Sequence, residues 1–341
     1  MIFRFYILAV IVLSGIFLSS CRQEVSSTTL VEQLGSVPEG FPDVEYPIGN
    51  ELTLARWELG KKLFFDAALS IDKSISCASC HKQEFAFGDD INFSNGANDA
   101  PGTRNAPSLV NVAYHPYYTR EGGLSTLEMQ VLVPIQEHNE FNHNIVKIAE
   151  ELQQNSEYVQ MSLEAYGRQP DAFVITRALS NFERTLISGG SEYDSYVQTH
   201  NELEYSAKAK KGMELFFSER LACGSCHSGF NFTNYQFENN GLYSDYLDSG
   251  RYRFTEMQSD VGRFKVPSLR NIEVTGPYMH DGSLETLEEV IDHYSTGGQS
   301  HENKSSLVKG FSLSANEKDE LITFLNSLTD HEFLNNPIFF E

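Results

Sequence analysis

Two copies of one short motif are the residues in this chain best suited to chemistry. Residues 77–81 (CASCH) and 223–227 (CGSCH) both have the pattern C-x-x-C-H, the attachment signature of c-type haem. Thiols at i and i+3 share one face of a helical turn, where each can add to a haem vinyl group, and the histidine at i+4 can ligate the iron. We therefore predict two haem c groups, held by Cys77, Cys80, Cys223 and Cys226 and ligated by His81 and His227.

Zinc and redox sites also use C-x-x-C, so a single copy would be weak evidence. Two copies with an immediate histidine favour haem in an exported chain, and the N-terminus predicts export. Residues 5–18 are almost wholly apolar after Arg4, which is typical of a signal peptide over residues 1–20 and short for a membrane-spanning helix. Leu18-Ser19-Ser20-Cys21 resembles a bacterial lipobox.

The chain has five cysteines, and Cys21 is the only one outside the motifs. No thiol therefore remains for a structural disulfide. We predict that Cys21 is lipidated, that residues 22–44 form a polar tether, and that the protein is periplasmic and held at the membrane by its lipid alone. The alternative is an uncleaved anchor with an unmodified thiol.

The net charge of −22 repels nucleic acid and anionic lipid headgroups, and no nucleic-acid partner is expected. An acidic surface can steer a basic redox partner such as a small cytochrome c. Solubility alone is the alternative explanation of this charge.

The elements around the motifs repeat. GKKLFF at residues 60–65 precedes the first motif and GMELFF at 212–217 precedes the second. Each half then closes with an apolar pattern of helical period, predicted over 171–187 and 314–328. Ser314 and Glu317 fit a capping box at the start of the second of these helices.

This duplication predicts an all-α fold of two cytochrome c-like domains in tandem, residues 45–200 and 201–335. Each domain would carry one covalent haem c and long loops. The boundary is expected near residues 189–206, which contain Gly and Ser.

Four further segments carry a family resemblance. RNAPSLVN at 104–111 resembles the R-N-A-P-x-x-x-N stretch of the bacterial di-haem cytochrome c peroxidase and MauG family, and LEMQ at 127–130, followed by Pro134 and Glu140, resembles its L-x-x-Q, P and E pattern. Residues 262–271 and 277–282 are similar to later family segments. The resemblance spans about 48 to 330 and identifies the chain as a member. It implies that 45–200 is peroxidatic and that 201–335 transfers electrons.

A peroxide site needs an iron with a free face, an acid or base near that face and a polar group to orient peroxide. The resemblance implies that Glu140 moves the proton of H2O2 to the leaving oxygen and that Gln130 orients the peroxide. Burial should raise the pKa of Glu140 toward neutrality. Three loop histidines are expected at the surface, and each has the alternative of reaching the iron: His115, His138 and His143.

Two departures from the family matter. Many members carry a blocking histidine seven residues before the R-N-A-P arginine, where this chain has Ala97, so the first haem is expected to be open at rest. Many also carry a bridging tryptophan ten residues before the Gln, where this chain has Arg120. The only tryptophan, Trp57, lies upstream of the first motif.

The sixth ligand of the second haem distinguishes subfamilies. The resemblance places it fourteen residues after His280, at Tyr294, where many peroxidases have methionine and MauG-type enzymes have tyrosine. A phenolate stabilises ferric and higher-valent iron, whereas methionine raises the potential. Met279 and Met257 are the competing ligands, and a packed core tyrosine is the alternative role of Tyr294.

The resemblance also implies a Ca²⁺ between the domains, held by the Asn105 side chain and the carbonyls of Thr275 and Pro277. Oxygen ligands suit that ion. A homodimer is a further expectation drawn from the family.

The predicted function is a di-haem c-type peroxidase that reduces H2O2 to water with electrons from a small cytochrome c or similar donor. The first alternative is a MauG-like oxidase that acts on a protein or small-molecule substrate through high-valent haem. The second is a non-catalytic di-haem electron carrier, against which Gln130, Glu140 and the long segment around them argue.

Overall fold

The structure is a computed structural model that describes residues 27–201, 203 and 205–341. The predicted signal peptide, Cys21 and the first residues of the tether lie outside the described residues. Within the described ranges, every helix is too short or too polar to cross a bilayer.

Helices dominate the described ranges, which confirms the predicted helical character. The α-helices are α1 (Ser27–Gly35), α2 (Leu54–Phe65), α3 (Leu127–Gln130), α4 (Leu132–Gln136), α5 (Ile145–Leu152), α6 (Ser156–Tyr166), α7 (Ala172–Glu183), α8 (Glu192–Thr199), α9 (Ala207–Phe217), α10 (Tyr252–Thr255), α11 (Leu287–Thr296), α12 (Ala315–Asn326) and α13 (His331–Leu334). The 3-10 turns are Ala67–Leu69, Cys77–Ser79, Gln83–Phe85, Ala97–Asp99, Val112–Tyr114, Cys223–Ser225, Gln258–Asp260, Ile272–Val274 and Pro337–Phe339. The short strands β1 (Phe237–Glu238) and β2 (Phe264–Lys265) pair antiparallel.

Two helix pairs organise the chain, and each joins the helix before one motif to the closing helix of the same half. Helix α2 packs on α7, and α9 packs on α12. Asp171 caps α7 by accepting from the backbone N–H of Val174, and Ser314 and Glu317 form the predicted capping box of α12. Both closing helices end a few residues before the apolar pattern does.

A glycine lies at the crossing point of each pair. A Cβ on Gly60 would lie 2.0 Å from the Ala178 carbonyl oxygen, and one on Gly212 would lie 2.0 Å from the Glu320 carbonyl oxygen. Phe182 and Phe324 lie at equivalent positions beside them. Only glycine allows the two backbones to approach this closely, which explains why both repeats begin with this residue.

Gly60→Ala or Gly212→Ala is expected to lower the free energy of unfolding by about 2 kcal/mol or more, because the methyl group must push two backbones apart. Chemical denaturation of the full chain measures the change. Glu214→Ala, at an exposed position of α9, should stay within about 0.5 kcal/mol. Equal stability of the glycine variants and the parent would contradict the crossing geometry.

The buried apolar side chains form two main clusters. The first joins α2, α5 and α7 with Phe87 and with Phe333 and Phe339 from the C-terminal segment. The second joins α9, α11 and α12 around Phe216, Phe232 and Phe324. Each cluster flanks one C-x-x-C-H motif, since Cys77 packs on the first and Cys223 on the second.

Within the predicted tether, Leu34 and Phe41 contact the body of the protein. Leu34 in α1 is 6% exposed and belongs to the first cluster. The Phe41 ring lies 4.8 Å from the Phe230 ring and 5.0 Å from the Arg270 guanidinium. Polar composition suggested a linker, but the few apolar residues in it bury against the protein.

Candidate haem and peroxide site

Both C-x-x-C-H motifs fold into the same turn. Cys77–Ser79 and Cys223–Ser225 are single 3-10 turns. In each, the backbone N–H of the motif histidine donates to the carbonyl of the first cysteine at 2.9 Å. The four motif cysteines form no disulfide, so all four thiols remain available for thioether bonds.

The motif histidines are oriented in the way that an iron ligand requires. Nδ1 of His81 lies 2.8 Å from the Phe87 carbonyl oxygen, and Nδ1 of His227 lies 3.1 Å from the Phe232 carbonyl oxygen. Donation from Nδ1–H to these carbonyls leaves the Nε2 lone pair free for a metal and fixes the ring orientation. These residues fit two c-type haems.

Gln130 ends the short helix α3, which Thr126 caps by accepting from the Met129 N–H. Its side-chain Oε1 is buried and has no hydrogen-bond partner within the described part of the chain. A buried amide oxygen without a partner is costly in a finished protein. Gln130 is therefore suited to bind a polar group that is not part of the polypeptide.

An ion pair that the sequence analysis missed fixes α3 to α7. Oε1 and Oε2 of Glu128 accept from the Arg184 guanidinium at 2.8 and 3.0 Å. Asn50 and Ser180 donate to the same carboxylate at 3.1 and 3.0 Å. This bidentate link holds Gln130, two residues further along, in one orientation. Nothing in the sequence spacing pairs residues 128 and 184.

Glu140 is an exposed residue in the loop after α4. Desolvation of its carboxyl by the surrounding protein, and then the Glu137 carboxylate, raise the pKa of Glu140 to about 7. Burial raises the pKa of the Cys77 thiol, and the charges of Glu183 and Glu140 raise it further. The charge of Glu140 thus reaches the thiols of Cys77 and Cys80, and its raised pKa agrees with the expectation for a proton shuttle.

The segment around Ala97 positions Glu140. The Ala97 N–H donates to the Glu140 carbonyl at 2.8 Å, and Ala97 is 1% exposed. A Cβ on Gly96 would lie 2.2 Å from the Asn139 carbonyl oxygen. The segment that would carry a blocking histidine instead packs closely against the Glu140 loop.

Within the described residues, no contact joins any of the three loop histidines to the first motif. His115 is half-buried, with Nδ1 3.2 Å from Nζ of Lys265 and its ring against Tyr235. His138 is exposed. Nε2 of His143 lies 3.5 Å from the Glu151 carboxylate.

Tyr294 and Met279 converge near the second motif. Burial raises the pKa of Tyr294 to about 12, a hydrogen bond with the Asn240 side chain lowers it, and the Cys223 and Cys226 charges raise it. The Asn240 side chain also donates to the Met279 sulfur at 3.2 Å. Either side chain is thus placed near the second motif.

Met257 is a poor candidate for the second haem. Its side chain is 58% exposed at the start of a surface 3-10 turn. Tyr294 and Met279 remain the two ligand candidates.

The predicted calcium ligands do not fit that ion well. Oδ1 of Asn105 lies 3.5 Å from Nη2 of Arg120, and Nδ2 donates to the Ile91 carbonyl at 3.1 Å. A Ca²⁺ bound to Oδ1 would lie within about 6 Å of the guanidinium, a repulsion of about 5 kcal/mol at an effective dielectric constant of about 20. Thr275 and Pro277 would add only neutral carbonyl oxygens.

The chain is similar in sequence to known di-haem proteins, as the two C-x-x-C-H motifs lead us to expect. The family model described as di-haem cytochrome c peroxidase matches residues 54–202. Methylamine utilization protein MauG of Methylorubrum extorquens is 36% identical over 295 residues, which cover 85% of this chain and 82% of that protein. Cytochrome-c peroxidase IdrP1 of a Pseudomonas species is 31% identical over 329 residues, covering 86% of this chain and 85% of that protein.

A solved structure is also similar. The crystal structure of a MauG-like protein associated with microbial copper homeostasis superposes with a TM-score of 0.85 at 32% identity, covering 89% of this chain and 98% of that one. The chain therefore belongs to the di-haem cytochrome c peroxidase family. The relatives of this chain include both cytochrome-c peroxidases and MauG proteins.

Proposed function

We propose that this protein is a di-haem c-type peroxidase that reduces H2O2 to water with electrons from a small c-type cytochrome or similar donor. The observation that carries the proposal is the buried amide oxygen of Gln130, which has no partner within the described residues, and the raised pKa of Glu140 supports it. Names of relatives, such as cytochrome-c peroxidase IdrP1, support the same reaction class.

When bound, each haem supplies an iron that exchanges electrons and can bind an oxygen ligand. His81 would hold the iron of the first haem by its free Nε2. Gln130 orients the peroxide by its free amide oxygen. Glu140 accepts the proton of the peroxide oxygen nearest the iron and returns it to the leaving oxygen, which departs as water. Two further protons and two electrons complete the conversion of H2O2 to two water molecules.

Each haem is assigned to one domain in this proposal. Residues 45–200 form the peroxidatic domain around the first apolar cluster, and residues 201–335 form the electron-transfer domain around the second. The repeated pairs α2 with α7 and α9 with α12 support a tandem pair of cytochrome c-like units.

The mass of the exported protein tests haem attachment. Intact-mass analysis is expected to show two haem additions, because each motif offers two unpaired thiols and an oriented histidine. Cys77→Ser with Cys80→Ser should remove one addition and leave the second motif loaded. A parent protein with one addition or none would contradict the assignment.

A MauG-like oxidase acting on a protein or small-molecule substrate is the second candidate. Two observations favour it: Ala97 stands where a blocking histidine would be, and Tyr294 lies near the second motif with Met279. The relative of highest identity reported above is a MauG protein. The two functions differ in the final electron source, so oxidation of a reduced small cytochrome c during H2O2 turnover distinguishes them.

A non-catalytic electron carrier is the third candidate, and the same assay separates it, because a carrier would hold two haems without consuming H2O2. We also propose export to the periplasm, attachment through lipidated Cys21 and docking of a basic donor on the acidic surface. A homodimer remains an expectation from the family.

A further inference from the structure

The Arg120 guanidinium lies against Asn105, the residue whose side chain was expected to ligate calcium. Nη2 donates to the backbone carbonyl of Asn105 at 2.8 Å and lies 3.5 Å from the Asn105 side-chain oxygen. Nε of Arg120 is buried and has no hydrogen-bond partner among the residues that the structure describes. Arg120 is thus a buried cation held against the one side chain that was expected to ligate calcium.

The backbone fixes this arrangement from both sides. The Lys265 N–H donates to the Arg120 carbonyl at 2.8 Å, and the Asn105 N–H donates to the His280 carbonyl at 3.0 Å. We call these four residues, Asn105, Arg120, Lys265 and His280, the central joint. The two other expected calcium ligands, Thr275 and Pro277, lie on the segment that leads into His280. The guanidinium therefore contacts Asn105, whose backbone in turn is bound to the segment that carries Thr275 and Pro277.

The charge of Arg120 is surrounded by further charged groups of the protein. The groups that act on it are the Arg104 guanidinium and the carboxylates of Glu121, Asp248 and Asp281. Arg104 pairs with Glu121 at 2.7 Å and with Asp248 at 2.6 Å, and Asp281 accepts from the Tyr243 hydroxyl at 2.6 Å.

Three carboxylates against two guanidiniums leave one formal negative charge. Without Arg120 the same set would carry two, the charge that one Ca²⁺ neutralises. Lys265 adds a further amine to the joint, with Nζ donating to the Tyr117 carbonyl at 2.8 Å. The joint thus has little need of a divalent cation while Arg120 is present.

We infer that Arg120 is a built-in replacement for the calcium ion that the family resemblance implies. Its guanidinium supplies the fixed positive charge between Asn105 and the 275–280 segment, so the protein holds its two halves together without a divalent metal. This inference concerns the metal content and stability of the chain, and it stands whether the enzyme is a peroxidase or a MauG-like oxidase.

The test compares the exported holoprotein with three variants after equilibration with CaCl2 and desalting. The calcium content by plasma mass spectrometry is expected to be below about 0.1 per chain in the parent. EGTA should leave both its thermal midpoint and its haem spectrum unchanged. Arg120→Trp should bind about one calcium per chain, and CaCl2 should raise its thermal midpoint by several degrees.

Arg120→Lys keeps the charge and should stay free of calcium. Arg220→Gln removes an equal charge at a half-exposed site remote from the joint and should match the parent. If Arg120→Trp does not fold, Arg120→Gln takes its place in the same measurement. One tightly bound calcium in the parent, or a charge-neutral variant at 120 that gains none, would overturn the inference.

Discussion

Glu140→Gln is expected to lower the rate of peroxide reduction by about 100-fold or more, since the amide keeps the shape of the side chain and cannot accept a proton. Haem content, and the spectrum of the second haem, should remain those of the parent. Steady-state oxidation of a reduced small cytochrome c by H2O2 measures the loss. A variant that turns over at the parent rate would show that another group moves the proton.

The pH dependence of the parent follows from the pKa of about 7 at Glu140. The proton-accepting form is the carboxylate, so activity should fall as the pH is lowered through about 7, and Glu140→Gln should lose that limb. Glu137→Gln is the matched control, because Glu137 is exposed and its charge helps to raise the pKa of Glu140. Its rate should stay near the parent rate while its acidic limb moves to lower pH.

Tyr294→Phe is expected to change the second haem and leave the first unaltered. The oxidised parent should show one high-spin and one low-spin ferric haem and no methionine–iron charge-transfer band, and peroxide should react without prior reduction. Loss of the phenolate should raise the reduction potential of the second haem by on the order of 100 mV. Electronic absorption and electron paramagnetic resonance spectra, with a redox titration, measure these changes.

Met279→Leu is the control for that experiment. Met279 shares the Asn240 side chain with Tyr294, so both variants disturb the same neighbourhood. If Tyr294 is the ligand, Met279→Leu should keep the low-spin spectrum. A methionine–iron band in the parent that disappears in Met279→Leu would assign the ligand to Met279 and favour a reductively activated peroxidase.

The predictable parts of this fold are those that depend on local chemistry. The capping box of Ser314 and Glu317 formed as expected because it needs only four neighbouring residues. The glycines at 60 and 212 were visible as a repeat, although their reason, the close approach of Ala178 and Glu320, requires the folded pairs. Within the predicted tether, the contacts of Leu34 and Phe41 join residues far apart in the chain.

The candidate site also has features that the sequence predicted and contacts that only the fold shows. Motif spacing placed the thiols and His81, and the resemblance placed Gln130 and Glu140 in the segment that serves the first motif. The residues that hold them were not predictable, since the pairs Glu128 with Arg184 and Ala97 with Glu140 join distant positions with no shared motif. The sequence showed only that Arg120 stands where many family members have tryptophan. Its contact with Asn105 depends on the folded structure.

The stoichiometry of turnover tests the central claim most directly. The as-isolated, fully oxidised protein is mixed with H2O2 and a reduced small c-type cytochrome, and peroxide loss and cytochrome oxidation are followed together. We expect rapid turnover with two cytochromes oxidised for each H2O2 consumed, and the same rate after pre-reduction of the enzyme. Peroxide consumption without cytochrome oxidation, or no consumption by a chain that carries both haems, would contradict the proposed function.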